Sequence, residues 1–219
     1  MKNFPQLQDL DNLASLDNAT HDTLVAWMND AIDLYDATLQ TMKPDLSGIQ
    51  TAGGKILHFQ GEQDSSIAAG SSMHFYEAVR GVMYPGTTFN ESVCASNHFY
   101  RFYLVLSAEH CGPNSAQANG FWPNTNLAVM IDSVENGVAP DTLNATVLQG
   151  GHQGETRELC RWPLRRCWTN DETMAYEYDQ DSIDSWMYTF DAFKRPIYQL
   201  KCDHIPCNSL KSKILLWIL

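Results

Sequence analysis

Gly53-Gly-Lys-Ile-Leu-His-Phe-Gln-Gly-Glu-Gln-Asp64 opens on a glycine pair, runs through a short apolar stretch and stops at an acidic side chain. Phe99-Tyr-Arg-Phe-Tyr-Leu-Val-Leu-Ser-Ala-Glu-His110-Cys-Gly112 has the same plan, an apolar run that ends at a titratable group. Lys55–Gln60 and Tyr100–Leu106 both have strand length, and the second is rich in aromatic and β-branched residues. Between them, 71–83 reads as a helix closed by Tyr84-Pro85-Gly86, and Asn90 to Asn97 reads as a polar loop. Strand, helix and strand in that order make a parallel βαβ unit of the α/β class. Two strands are too few for a parallel sheet of ordinary width, so further strands are expected from elsewhere.

In an open parallel sheet, working residues sit on the loops just past the carboxyl ends of the strands. The first strand here leads to Asp64 and the second to His110. An acid followed by a histidine is the chain order of those groups in the Ser…Asp…His triad. A serine hydroxyl is a poor nucleophile until an imidazole takes its proton, and a carboxylate must hold that imidazole in one tautomer and stabilise it once charged. Each residue also has a plainer reading. An aspartate in Gly-x-x-Asp bonds to turn backbone, and a histidine beside a cysteine is commonly structural or surface-bound.

Outside this unit, Asp22 to Gln40 places Leu24, Met28, Ile32, Tyr35 and Leu39 on one stripe, the spacing of a core-facing helix, and Lys43-Pro44-Asp45 ends it. A Gly/Pro/Asn-rich loop follows Leu106 as far as Pro123. Leu127, Met130, Ile131 and Val134 then mark another helix, with Gly137 as its stop and Pro140 beyond. From Gly150 onward aromatic and acidic residues alternate with few long apolar runs, which reads as a segment wrapping on the surface.

The 219 residues carry a formal net charge of -12, with 44% hydrophobic and 18% charged residues. That composition supports a globular core, and the charge argues against nucleic acid or an anionic membrane as partner. No run approaches the roughly 20 apolar residues of a bilayer crossing, and Met1 to Leu10 lacks the apolar core of a signal peptide. Cysteines at 94, 111, 160, 167, 202 and 207 include no zinc-finger spacing, and their number does not fix a pairing. Cys202-x-His204 with Cys207 is weak as a metal motif. Asp30, Asp33 and Asp36 lie at helical spacing and read as a solvated face rather than a calcium loop. Asn18-Ala-Thr20, Asn90-Glu-Ser92 and Asn144-Ala-Thr146 have the form of glycosylation acceptors, but chance supplies about two such triplets in a chain of this length, so three say little about secretion.

Four stretches, in order, resemble the fungal tannase and feruloyl esterase family. They are the Gly53–Asp64 strand, the Phe99–Gly112 strand with its His-Cys-Gly end, Val134-Glu-Asn-Gly-Val-Ala-Pro-Asp-Thr-Leu143, and Arg157-Glu-Leu-Cys-Arg-Trp-Pro163. Tyr178-Asp-Gln-Asp-Ser-Ile-Asp-Ser-Trp186 is similar to the end of fungal tannases. The resemblance implies the C-terminal part of an α/β-hydrolase fold: 1–43 as the helical end of a lid domain, 44–198 as hydrolase domain, and 199–219 as an unmatched tail. It implies a serine carboxylic ester hydrolase acting on galloyl or feruloyl esters, with Asp64 as catalytic acid and His110 as catalytic base.

The resemblance also implies that Cys111 is one half of a disulfide whose partner directly precedes the nucleophilic serine. It implies extracellular location and a structural calcium held by lid carboxylates, so no cofactor is expected in this chain. The sequence contains no Gly-x-Ser-x-Gly. Its nearest approach, Gly70-Ser-Ser-Met-His74, follows the acid instead of preceding it, and Ser71 or Ser72 there reads as a helix cap. The serine is therefore expected outside this chain, on a missing segment or an N-terminal partner chain. The alternative is a catalytically inactive fragment or binding remnant of the same fold.

Overall fold

Alternation along two parallel strands organises the molecule. In the structure, a computed structural model that describes residues 19–35, 38, 43–170 and 174–186, β1 (Ile56–Gly61) and β2 (Tyr100–Val105) pair in register from Ile56 opposite Tyr100 to Gly61 opposite Val105. Successive side chains point to opposite faces of a strand. On one face Ile56, Tyr100, Phe102 and Leu104 join Met73, Tyr76 and Val79 of the crossover helix α3 (Ala69–Met83), together with Trp162 and Ile183. On the other, Leu57, Phe59, Tyr103 and Val105 meet Met130, Leu143, Ala145 and Leu159. A parallel pair must be covered on both faces, and this one is. Tyr76, Phe102, Tyr103 and Val105 are wholly buried; truncating an aromatic of this kind to alanine costs about 3–5 kcal/mol.

By its contacts the chain divides into two units. Among described residues the first contributes α1 (His21–Tyr35) and the second everything from Pro44 to Trp186. The stripe on α1 forms a helix as expected but not a core-facing one. None of its side chains is buried, and Leu24 and Met28 are 41% and 52% exposed. Periodicity specifies a helical face without specifying what covers it. Leu39, Asp36 and the tail from 199, including Cys202, His204 and Cys207, lie outside the described residues.

In the second unit, α2 (Ser47–Thr51) leads through Gly53 and Gly54 into β1. The segment read as a loop at 90–97 is instead a helix, α4 (Phe89–Ser96). Thr88 accepts from the Glu91 backbone N–H at 3.3 Å and its own N–H donates to the Glu91 carboxylate at 2.9 Å, a reciprocal capping box that starts the helix despite its polar face. Arg80 of α3 ties the two helices together, bonding Ser92 and pairing with Glu77 while its guanidinium lies 4.4 Å from the centre of the Phe89 ring.

The stretches expected to be a long loop and a surface wrap carry short strands. Ala108–Glu109 (β3) and Gly112–Pro113 (β4) form a tight hairpin. Phe121–Trp122 (β5), Thr142–Val147 (β6) and Thr156–Cys160 (β7) form an antiparallel sheet around α5 (Asn126–Glu135), and Leu164–Trp168 (β8) pairs with Met174–Tyr178 (β9) before α6 (Gln180–Trp186). β6 has no long apolar run because it buries one face alone: Leu143, Ala145 and Val147 are buried while Asn144 is exposed. The Pro140 carbonyl accepts from Tyr103 Oη at 2.6 Å and from Arg101, which fastens the segment after α5 to β2. Among the described residues no helix is long and apolar enough to cross a membrane.

Candidate active site

The two strand ends meet because one backbone passes directly over the other. β1 finishes at Gly61, where a Cβ would lie 2.6 Å from the Ala108 carbonyl oxygen and 2.7 Å from that of Glu109. Only glycine allows this approach. Gln63 N–H then donates to the Ala108 carbonyl at 2.9 Å, locking the turn after β1 against the β3–β4 hairpin. The register, Ala108 opposite Pro113 and Glu109 opposite Gly112, leaves His110 and Cys111 as a two-residue turn at the hairpin tip. Cys111 takes a left-handed backbone, φ 59°, which tight hairpin turns demand and non-glycine residues adopt at a cost of about 1–2 kcal/mol.

This arrangement brings His110 Nδ1 to 3.1 Å from Asp64 Oδ2. The two oxygens of Asp64 have separate work. Oδ1 accepts the backbone N–H of Ser66 and of Ile67, each at 2.8 Å, which is the turn role anticipated for a lone aspartate. Oδ2 accepts from His110 and, at 3.1 Å, from Gln60 Nε2. Burial pushes the Asp64 carboxyl up, but the Ile67 and Ser66 amides with the His110 and Gln60 side chains outweigh it and hold the group below its ordinary value. Asp64 is therefore an anion at neutral pH. An anionic carboxylate only accepts, so Nδ1 of His110 carries a proton, and in the neutral imidazole Nε2 is the acceptor. The side chain of Asp64 is 1% exposed and that of His110 46%.

The other candidates fall differently. Cys111 is exposed, and Cys94, Cys111, Cys160 and Cys167 carry no disulfide among the described residues. Neither serine of Gly70-Ser-Ser72 caps the helix: Ser71 Oγ donates to the Ala68 carbonyl at 2.7 Å, and Ser72 Oγ donates to Gln60 Oε1 at 2.9 Å, buried behind the acid. Among the described residues no group of three or more His, Cys, Asp or Glu is placed to hold a metal ion. A cavity of about 210 Å³ opens beside the end of β2, lined by Leu106, Cys160, Trp162 and Arg165 among others, without Asp64 or His110.

Sequence reasoning passed over three contributors to this geometry. Gly61 had a signal, a glycine closing a strand, which marks close backbone approach. Gln60 had none, because its bonds to Asp64 and Ile67 depend on the shape of the turn and its bond to Ser72 on the packing of α3 against β1. The third is the ion pair of Glu62 with Arg165, whose Nε also donates to Ser182 Oγ at 2.8 Å, bracing the turn after β1 from the β8 side.

The same architecture recurs in solved proteins. Tannin acyl hydrolase from Aspergillus niger superposes with a TM-score of 0.79 at 52% identity, over 85% of this chain and 34% of that one. Feruloyl esterase B from Aspergillus oryzae superposes with a TM-score of 0.55 at 28% identity, over 77% of this chain and 33% of that one. These are α/β-hydrolase folds. In sequence, a tannase of Aspergillus oryzae is 50% identical over 195 residues, 89% of this chain and 33% of that protein, and a probable feruloyl esterase B-1 of the same fungus is 33% identical over 164 residues, 70% and 29% respectively. The chain thus spans about a third of the length of the relatives it matches. The model of the tannase and feruloyl esterase family matches residues 1–182. With that match extending through both strand ends and the pairing of Asp64 with His110, the chain belongs to the tannase and feruloyl esterase family.

Proposed function

We propose that Asp64 and His110 are the acid and base of a serine esterase for phenolic esters, whose nucleophilic serine lies on a segment outside these 219 residues. The observation that carries this reading is the His110 Nδ1 to Asp64 Oδ2 contact at the carboxyl ends of two adjacent parallel strands. His110 Nε2 takes the proton of the serine hydroxyl as its oxygen attacks the ester carbonyl. The imidazolium, held by Asp64, then gives that proton to the departing alcohol oxygen, leaving an acyl-enzyme. Water then attacks the acyl carbonyl as His110 Nε2 takes its proton, and the imidazolium returns that proton to the departing serine oxygen, which frees the phenolic acid and restores the serine. Galloyl esters are favoured over feruloyl ones, in keeping with the greater likeness to the tannases.

Cys111, exposed next to His110, is on this reading the half of a disulfide that tethers the serine-bearing loop, and the serine arrives on the rest of the polypeptide or on an N-terminal partner chain. Extracellular location and glycosylation at the exposed Asn90 and Asn144 accompany the same reading. A second reading, an inactive binding remnant, rests on the lack of a Gly-x-Ser-x-Gly in the chain.

Two assays separate them. The chain alone is expected to give no turnover of methyl gallate or methyl ferulate, since catalysis without a nucleophile is residual. Replacing the matching third of the Aspergillus oryzae tannase with this chain is expected to give a chimera that hydrolyses methyl gallate faster than methyl ferulate. A folded chimera that binds gallate without hydrolysing the ester favours the second reading, and turnover by the chain alone contradicts the missing serine.

A further inference from the structure

Gln60 sits one residue before the end of β1, 1% exposed, on the face that packs against α3. A primary amide in such a place needs every one of its groups satisfied. It has four partners, and all belong to the neighbourhood of the acid, the longest contact being Nε2 to the Gly61 carbonyl at 3.4 Å. Nε2 donates to Asp64 Oδ2 at 3.1 Å and to the Ile67 carbonyl at 3.1 Å, while Oε1 accepts from Ser72 Oγ at 2.9 Å.

These bonds clamp the turn at both ends. Ile67 gives its N–H to Asp64 Oδ1 and its carbonyl to Gln60, so the amide grips the carboxylate and the backbone that holds it. The Ser72 hydroxyl decides which way the amide faces. Turning the amide over would set Oε1 against the carboxylate, two acceptors in contact, and Nε2 against the hydroxyl. Gln60 Nε2 and His110 Nδ1 also converge on the same carboxylate oxygen.

Resting on the esterase reading above, we propose that Gln60 is a positioning residue, which, oriented by Ser72 of the crossover helix, holds the Asp64 carboxylate in the rotation that receives His110. The helix connecting the two strands thereby sets the aim of the acid, and the buried serine of the Gly-Ser-Ser stretch serves that end.

The test is NMR on the full 219-residue chain, wild type and the variants Gln60→Met, Ser72→Ala and both together. Gln60→Met keeps length and volume while removing the donor. Two signals are read: the carboxyl carbon of Asp64 through an acid titration, and the ring nitrogens of His110, which report the tautomer. Loss of a donor to the charged form raises a carboxyl pKa. Gln60→Met is expected to move the Asp64 midpoint up by about one pH unit and to deplete the Nδ1–H tautomer of His110. Ser72→Ala is expected to move both in the same direction by less, and to add nothing on top of Gln60→Met. A merely structural glutamine would lower the melting temperature and leave both signals in place. That outcome overturns the proposal, and Ser72→Ala decides it if Gln60→Met does not fold. Asp64→Asn separates the two levels. If it leaves the wild-type tautomer unchanged, the Asp64–His110 pair fails and the esterase reading with it. If it shifts the tautomer and Gln60→Met does not, only the role of Gln60 fails.

Discussion

The turn after β1 and the hairpin after β2 hold the two halves of one site by opposite means. Asp64 is fixed from every side: two backbone amides on one oxygen, Gln60 and His110 on the other, with almost no exposure. His110 stands at a hairpin tip, nearly half exposed, with the Asp64 contact orienting its Nδ1. The difference fits the roles proposed for the two groups. A carboxylate that orients and stabilises must not move, whereas a base must present its second nitrogen to something that arrives. The left-handed backbone at Ser107 and Cys111 brackets the histidine and marks where the chain accepts local strain to present it.

This contrast can be tested by perturbing one side at a time. The β1 side also carries His58, buried beside Tyr100, with its Nδ1 2.7 Å from the Tyr100 hydroxyl. Burial lowers its pKa from 6.5 to about 4. A histidine depressed in the folded state remains neutral there while the unfolded chain takes up a proton. Stability is therefore expected to fall as pH drops from about 6.5 toward 4, by up to about 3 kcal/mol. Urea midpoints across that range measure it, and His58→Phe should flatten the slope. Asp64, also depressed, adds a loss in the same direction at still lower pH, as its carboxylate is protonated.

Gly61→Ala attacks the contact between the two sides. With a methyl group driven into the Ala108 and Glu109 carbonyls, a loss of about 2–3 kcal/mol is expected, along with separation of His110 from Asp64. Denaturant unfolding and the His110 tautomer report the two effects. Asp64→Ala leaves the Ser66 and Ile67 amides and Gln60 without their acceptor, an expected loss of about 2 kcal/mol. His110→Ala, by contrast, removes an exposed side chain and is expected to change stability by less than about 0.5 kcal/mol. Equal losses for these last two would erase the distinction between a structural acid and a presented base.

Much of this was legible in the primary structure. Strands ending at Asp64 and His110 declare themselves because a parallel strand buried on both faces must be a continuous apolar run. Helix α3 declares itself through its proline-glycine stop. The helix at 89–96 was missed because its apolar face is short, although Thr88 and Glu91 spell out the capping box that starts it. Strands β6 and β7 are hard to read because their few buried apolar residues are spread thinly, and β8 and β9 because pairs such as Arg165 opposite Glu177 look like surface. That Asp64 and His110 lie at neighbouring strand ends could be read from the sequence, while the bonds that hold Asp64 could not. Gln60, Ser72 and Arg165 act across distances in sequence that only the folded chain closes.

The central claim is that His110, oriented by Asp64, does proton transfer for an ester-cleaving serine. Its most direct measurement is kcat for methyl gallate in the tannase chimera carrying this chain, with and without His110→Ala. The account predicts a fall of at least about a thousandfold with KM little changed and the fold intact. A His110→Ala chimera that keeps kcat within about tenfold of its parent would contradict it.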